Sequence, residues 1–166
     1  MSTLFNGRII NVGIAQFRTA EAPDALNTTL GSCVGIVLYN PRKRHGGIAH
    51  ILLAKQPGGR IVNRAKYANT AIPELCRELG RSGSPVDEYR ARIFGGASMF
   101  GDGSDTFIQR IGQENVAATR QALAEQGVTV IAEDVGGTVG RSITLFLDDG
   151  RVLLRKNGKE KYIYKV

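Results

Sequence analysis

Glycine pairs at 46–47, 58–59, 95–96 and 136–137 each stand beside a short apolar run rich in β-branched residues. That arrangement limits the chain to short strands entering and leaving sharp bends. Glycine alone turns freely into positive φ, and β-branched side chains suit a pleated, half-buried surface. The 21 glycines among 166 residues are nearly twice the ordinary share of about 7%, so the bends are many. No repeat and no composition shift divides the sequence, and residues 1–166 read as one domain of ordinary size.

The runs predict strands at 9–17, 33–39, 47–53, 90–95, 128–134, 142–148, 151–155 and 161–166. Asp149-Gly150, between the sixth and seventh, predicts a hairpin with positive φ at both turn residues. Tyr67, Ala68, Ala71, Ile72, Leu75, Cys76 and Leu79 recur at helical spacing, giving a helix that contains Pro73, stops at Gly80 and turns Cys76 inward. A second helix is expected over Glu114–Gln126, ending at Gly127. Mixed strands with two helices predict an α+β layered domain with the helices covering one side of stacked sheets.

Lys and Arg outnumber Asp and Glu by 22 to 15, which favours acidic partners without choosing among them. The basic residues are scattered and not interleaved with aromatics, which argues against a nucleic-acid surface. No apolar run approaches the roughly 20 residues of a membrane helix, and the N-terminus does not resemble a signal peptide. The expectation is a cytoplasmic protein, not inserted in a membrane, with Cys33 and Cys76 as reduced thiols.

The stretch from Thr28 to His50 holds Cys33 and both histidines. Cys33 follows Gly31-Ser32 at a strand entrance, and His50 ends the next predicted strand 17 residues later. A hairpin through the loop Asn40–His45 brings the two side by side. Two readings stay open on pattern alone: a buried small hydrophobe beside a satisfied histidine, or a nucleophile with its base. Amides at the Ser32-Cys33 turn would then face a developing oxyanion. Finger-like spacing is absent, so no metal site is expected. Ile93–Phe100 reads either as a strand end folding into the core or as a groove wall presenting Phe94, Met99 and Phe100. Glu133 or Asp134 could orient His50, with Arg141 as an ion partner, and the basic loop Arg42–Arg44 could steer an acidic partner.

The string TTLGSCVGIVLYNPRKRHGGIAHILL resembles the signature region of the CheD family, and the likeness continues through RAKYANTAIPELCREL, ARIFGGASMF, IGQENVAATRQAL and GVTVIAEDVGGTVGRSITLFLDDGRVLLRK. The resemblance implies a three-layer α/β/β sandwich similar to cysteine deamidase toxins. It also implies hydrolysis of glutamine amides on chemoreceptor cytoplasmic domains without a cofactor, with Cys33 as nucleophile and His50 as base. A CheC-type phosphatase of the response regulator is the other partner it suggests, and activation of that phosphatase is the alternative function. The family's third residue is a threonine six positions before the cysteine. Asn27 stands there in this chain, so either Asn27 accepts from the imidazole or Thr28 takes the role, and Asn27 is placed ahead.

Overall fold

Strand Val34–Asn40 (β4) is buried at all seven positions, which explains its unbroken apolar run: both faces are covered. Val34, Ile36 and Leu38 point to one side, where they meet Ile72, Leu75 and Leu123 of two helices. Val37 and Tyr39 point to the other, where they meet Leu26, Leu30, Ile143, Leu145 and Val152 of a second sheet. This single strand therefore defines three layers, helices over sheet over sheet. Residues 4–98, 106–164 and 166 are described in this computed structural model.

Besides β4, the elements in chain order are β1 (Ile9–Asn11), β2 (Gln16–Glu21), β3 (Ala25–Leu30), β5 (His45–Ile51), α1 (Ala68–Gly80), β6 (Arg90–Gly95), α2 (Thr106–Glu125), β7 (Thr129–Val135), β8 (Arg141–Phe146), β9 (Val152–Lys156) and β10 (Lys159–Ile163). One sheet runs β1-β3-β8-β9-β10 and the other β2-β5-β4-β6-β7. Both are mixed, since β1 pairs with β3 and β6 with β7 in parallel while the remaining pairs are antiparallel. The α+β sandwich expected from the sequence is the observed architecture. Among the described residues no helix is long and apolar enough to cross a membrane.

Four local expectations are corrected. Residues 9–17 form two strands in different sheets: the chain breaks at Gly13–Ala15, where Ala15 takes φ 60° and the Gln16 side-chain oxygen accepts from the Gly13 N–H at 3.0 Å. Residues 25–30 are a strand the pattern reading left out. Helix α2 starts at Thr106 instead of Glu114. The β8–β9 hairpin exists, but its loop is longer than two residues. The Phe146 N–H meets the Arg151 carbonyl at 3.0 Å, and only Gly150 of the predicted pair has positive φ, 81°. Asp149 stays in ordinary backbone because its carboxylate accepts from the Arg151 N–H at 3.0 Å, closing the loop from its side chain.

Both cysteines are free thiols, and the β2-β5-β4-β6-β7 sheet separates them: Cys33 packs between the sheets and Cys76 beneath the helices. Burial pushes the Cys76 thiol up to about 11. Gly112 of α2 sits so close to the exit of β6 that a Cβ there would drive into the Gly96 carbonyl. Gly112→Ala is expected to lower stability by about 1–3 kcal/mol, read as the urea midpoint at unchanged slope.

Candidate active site

The β4–β5 register pairs Val34 with Ile51 and Gly35 with His50. Cys33 therefore stands one step beyond β4, diagonal to His50. Alternation places both side chains on the face turned toward the other sheet, with Val37 and Ile48. Gly35 lies directly opposite His50 and contributes no side chain; a Cβ there would run into Leu30 and Ile143. The facing sheet supplies the third group. On β3, Leu26, Thr28 and Leu30 point inward, and Thr28 Oγ1 lies 2.7 Å from His50 Nδ1.

The direction of that hydrogen bond follows from proton counting. The Thr28 hydroxyl has one hydrogen and donates it to the Val12 carbonyl at 2.6 Å. It can only accept from His50, so Nδ1 carries the ring proton and Nε2 is left as a lone pair. Nε2 is buried and has no hydrogen-bond partner among the described residues. Such an orphaned acceptor costs stability, and a functional role is one reason for a fold to retain it.

The loop before Cys33 is held by its carbonyls. Gly31 accepts from the Ala97 N–H at 3.0 Å and Cys33 from the Gly96 N–H at 2.8 Å. The Ser32 carbonyl accepts from the Asn115 side chain at 3.2 Å. Three successive carbonyls are thereby engaged, two by the segment that follows β6 and one by α2. Burial raises the Cys33 pKa, partly countered by its own backbone N–H against the sulfur. Burial lowers the His50 pKa, partly countered by the Val12 carbonyl. Both shifts favour the uncharged forms, thiol and neutral imidazole.

The sequence profile of a family described as CheD chemotactic sensory transduction matches residues 52–156. The chain belongs to the CheD family. A Methanococcus maripaludis protein called "Probable chemoreceptor glutamine deamidase CheD" is 39% identical over 155 residues, covering 93% of this chain and 99% of its own. A Desulforamulus reducens protein with the same name is 38% identical over 151 residues, covering 90% and 91%. Among solved structures, the crystal structure of Bacillus licheniformis hypothetical protein YfiH aligns with a TM-score of 0.48 at 15% identity. This chain spans 79% of its own length and 60% of the YfiH chain in that alignment.

Within this CheD-family fold, Thr28 and not Asn27 meets the imidazole. Strand alternation turns Asn27 to the outer face of its sheet. It reaches the site only through its backbone carbonyl, which accepts from the Val12 N–H at 2.8 Å. Thr28→Val is accordingly expected to lower kcat about 100-fold by releasing the imidazole tautomer, whereas Asn27→Ala stays within about twofold; single-turnover rates of the two variants decide between them.

Phe94, expected as part of a substrate groove, has no exposed surface and packs with Val37 and Ile48 in the core between the sheets. Met99 and Phe100 lie outside the described residues. Glu133 pairs with Arg120 at 2.6 Å, and Asp134 with Arg141 and with Lys156 at 3.0 Å, so neither carboxylate serves His50. Arg42–Arg44 join the far ends of β4 and β5. Seven residues at roughly 3.3 Å each separate that loop from Cys33, too far to line the site. His45 shares that far end, half-buried, with Nδ1 at 2.8 Å from the Tyr89 hydroxyl.

Pattern reading missed two contributors. The Val12 carbonyl is main chain and leaves no residue-type signal. Asn115 does: an asparagine inside an alanine-rich helix gives up helix propensity, which calls for a partner. Among the described residues no three His, Cys, Asp or Glu side chains converge.

Proposed function

We propose that this CheD-family chain is a protein-glutamine deamidase of chemoreceptor cytoplasmic domains, working in the cytoplasm with residues 1–166 as one catalytic domain. The observation that carries the reading is the directed chain His50 Nδ1–H to Thr28 O–H to the Val12 carbonyl, which frees Nε2 as a base beside Cys33.

Cys33 Sγ attacks the glutamine Cδ while its proton passes to His50 Nε2. The N–H groups of Ser32 and Cys33 hold the oxyanion of the tetrahedral intermediate. His50 returns the proton to the amide nitrogen, the C–N bond breaks, and ammonia leaves a γ-glutamyl thioester. Water then attacks the thioester carbon and gives a proton to Nε2. Collapse breaks the C–S bond, the proton goes to sulfur, and glutamate is released with the thiol restored. Every proton is accounted for by one imidazole, so the cycle calls on no cofactor.

The test is mass spectrometry of a purified chemoreceptor cytoplasmic domain incubated with the protein. Selected glutamines are expected to gain about one dalton each, with ammonia released in equal amount. An unchanged receptor in the presence of folded protein removes the deamidase reading and leaves association with a CheC-type phosphatase as the family function to examine.

A further inference from the structure

Asn115 is 1% exposed, and its side-chain amide donates to two carbonyls from distant parts of the chain: Ser32 at 3.2 Å and Leu52 at 3.0 Å. Ser32 immediately precedes the sulfur-bearing residue. Leu52 follows the imidazole-bearing residue by two positions. One planar amide thus spans the two segments that meet at the site, and both of its N–H bonds are used. An amide buried this deeply without those acceptors would be costly, so each segment also fixes where α2 can lie.

The depth of the helix is set one turn earlier. A Cβ on Gly112 would drive into the Gly96 carbonyl and crowd that of Ala97. The same Gly96-Ala97 segment donates its N–H groups to the Cys33 and Gly31 carbonyls. The helix therefore rests directly on the backbone that supports the Cys33 loop, and Asn115 grips that loop and the end of the His50 strand from a fixed height. Asn115 itself is buried in close-packed surroundings, where a small displacement of the helix is passed on to the segments it holds.

We propose that Asn115 is a positioning residue for the reaction, holding Cys33 and His50 at the separation that proton transfer needs through the Ser32 and Leu52 carbonyls. The proposal rests on the deamidase reading of that pair. Its signature is a loss in the chemical step with substrate capture intact, because Asn115 touches neither substrate nor the reacting atoms.

Asn115→Asp and Asn115→Leu both remove the two N–H donors while keeping roughly the same side-chain shape. Leu123→Ala, on the same helix and in the helix-side core, is the control for packing loss alone. Two readouts are taken: kcat and KM on the receptor domain, and the rate of Cys33 alkylation by iodoacetamide across about pH 6 to 9, which needs no receptor.

The expected result is a kcat lower by about 10- to 100-fold with KM within about twofold, and Cys33 alkylation near neutral pH slowed at least about fivefold in both variants. Leu123→Ala, at a comparable fall in Tm, is expected to change neither readout. Values within about twofold of wild type in the folded Asn115 variants overturn the proposal. So does a Leu123→Ala protein that reproduces the losses, or failure of both Asn115 variants to fold. Should wild-type protein leave the receptor unchanged, the deamidase reading fails on that ground, while the alkylation profiles still decide whether Asn115 places the thiol.

Discussion

Cys33→Ala is expected to leave every receptor glutamine at its original mass, a loss of at least about 10⁴-fold in kcat, while the protein keeps its fold and its affinity for the receptor. The reason is chemical: the proposed route runs through a thioester, and among the described residues at the site Cys33 alone offers a sulfur to form it. The side chain removed is small and 7% exposed, so the cavity left costs only about 1 kcal/mol and unfolding cannot account for the loss. Cys76→Ala is the matched control. Its sulfur lies on the other side of the central sheet, with a thiol pushed up to about 11, and its removal should leave deamidation unchanged. Residual mass gain with Cys33→Ala would move the nucleophile elsewhere.

His50→Gln is expected to lower kcat by about 10³- to 10⁴-fold, the upper part of what a positioned acid–base group contributes. Glutamine can still reach Thr28 but cannot shuttle a proton. The wild-type pH profile carries the same signature. Burial lowers the His50 pKa, so the neutral base persists below the ordinary histidine value near 6.5 and kcat/KM falls only as pH drops through that lowered pKa. The acid limb should vanish in His50→Gln. Stability follows the same sign: with a folded pKa below the unfolded one, the unfolded chain takes up the proton first. The contribution is present above about pH 6.5 and lost as pH falls through the folded value. His45, also lowered chiefly by burial, adds to that loss, so urea midpoints should decline in this range and decline less in His50→Gln. An acid limb unchanged by the substitution would assign the titration to another group.

The elements of this fold differ in how plainly their surroundings are written into the sequence. Strand β4 was legible because it is central, covered on both faces, and so written as a continuous apolar run. The Cys33–His50 encounter needed only that two consecutive strands form a hairpin. The choice between Asn27 and Thr28 needed parity, which exists only once a strand is recognised. Ala25–Leu30 does not read as a strand by hydropathy because Asn27, Thr28 and Thr29 interrupt its apolar residues. In hindsight Leu26, Thr28 and Leu30 alternate as an inner face whose middle member is polar, the trace a functional side chain leaves in a core strand. The far-end position of Arg42–Arg44 was implied by the hairpin itself, since the turn lies opposite the open ends. Phe94 illustrates the reverse failure: an aromatic beside glycines suggests a groove, yet in a central strand it fills the core.

The hydrogen-bond chain from the imidazole ends on the Val12 carbonyl, and that choice of terminus shapes how such a site can decay over generations. A side-chain terminus is erased by a single codon change. A peptide oxygen survives any substitution at its own position that keeps the buried packing. The vulnerable property is instead the length of the short turn between β1 and β2, which is pinned by the Gln16 side chain on Gly13, by the Asn63 side chain on Ala15 at 3.1 Å and by the His50 carbonyl on the Ala15 N–H at 2.9 Å. One codon inserted or deleted there would rotate the peptide plane away from Thr28 while leaving Cys33, Thr28 and His50 all in place. A gene that had drifted in that way would look intact at every reacting position and encode a protein without a fixed base.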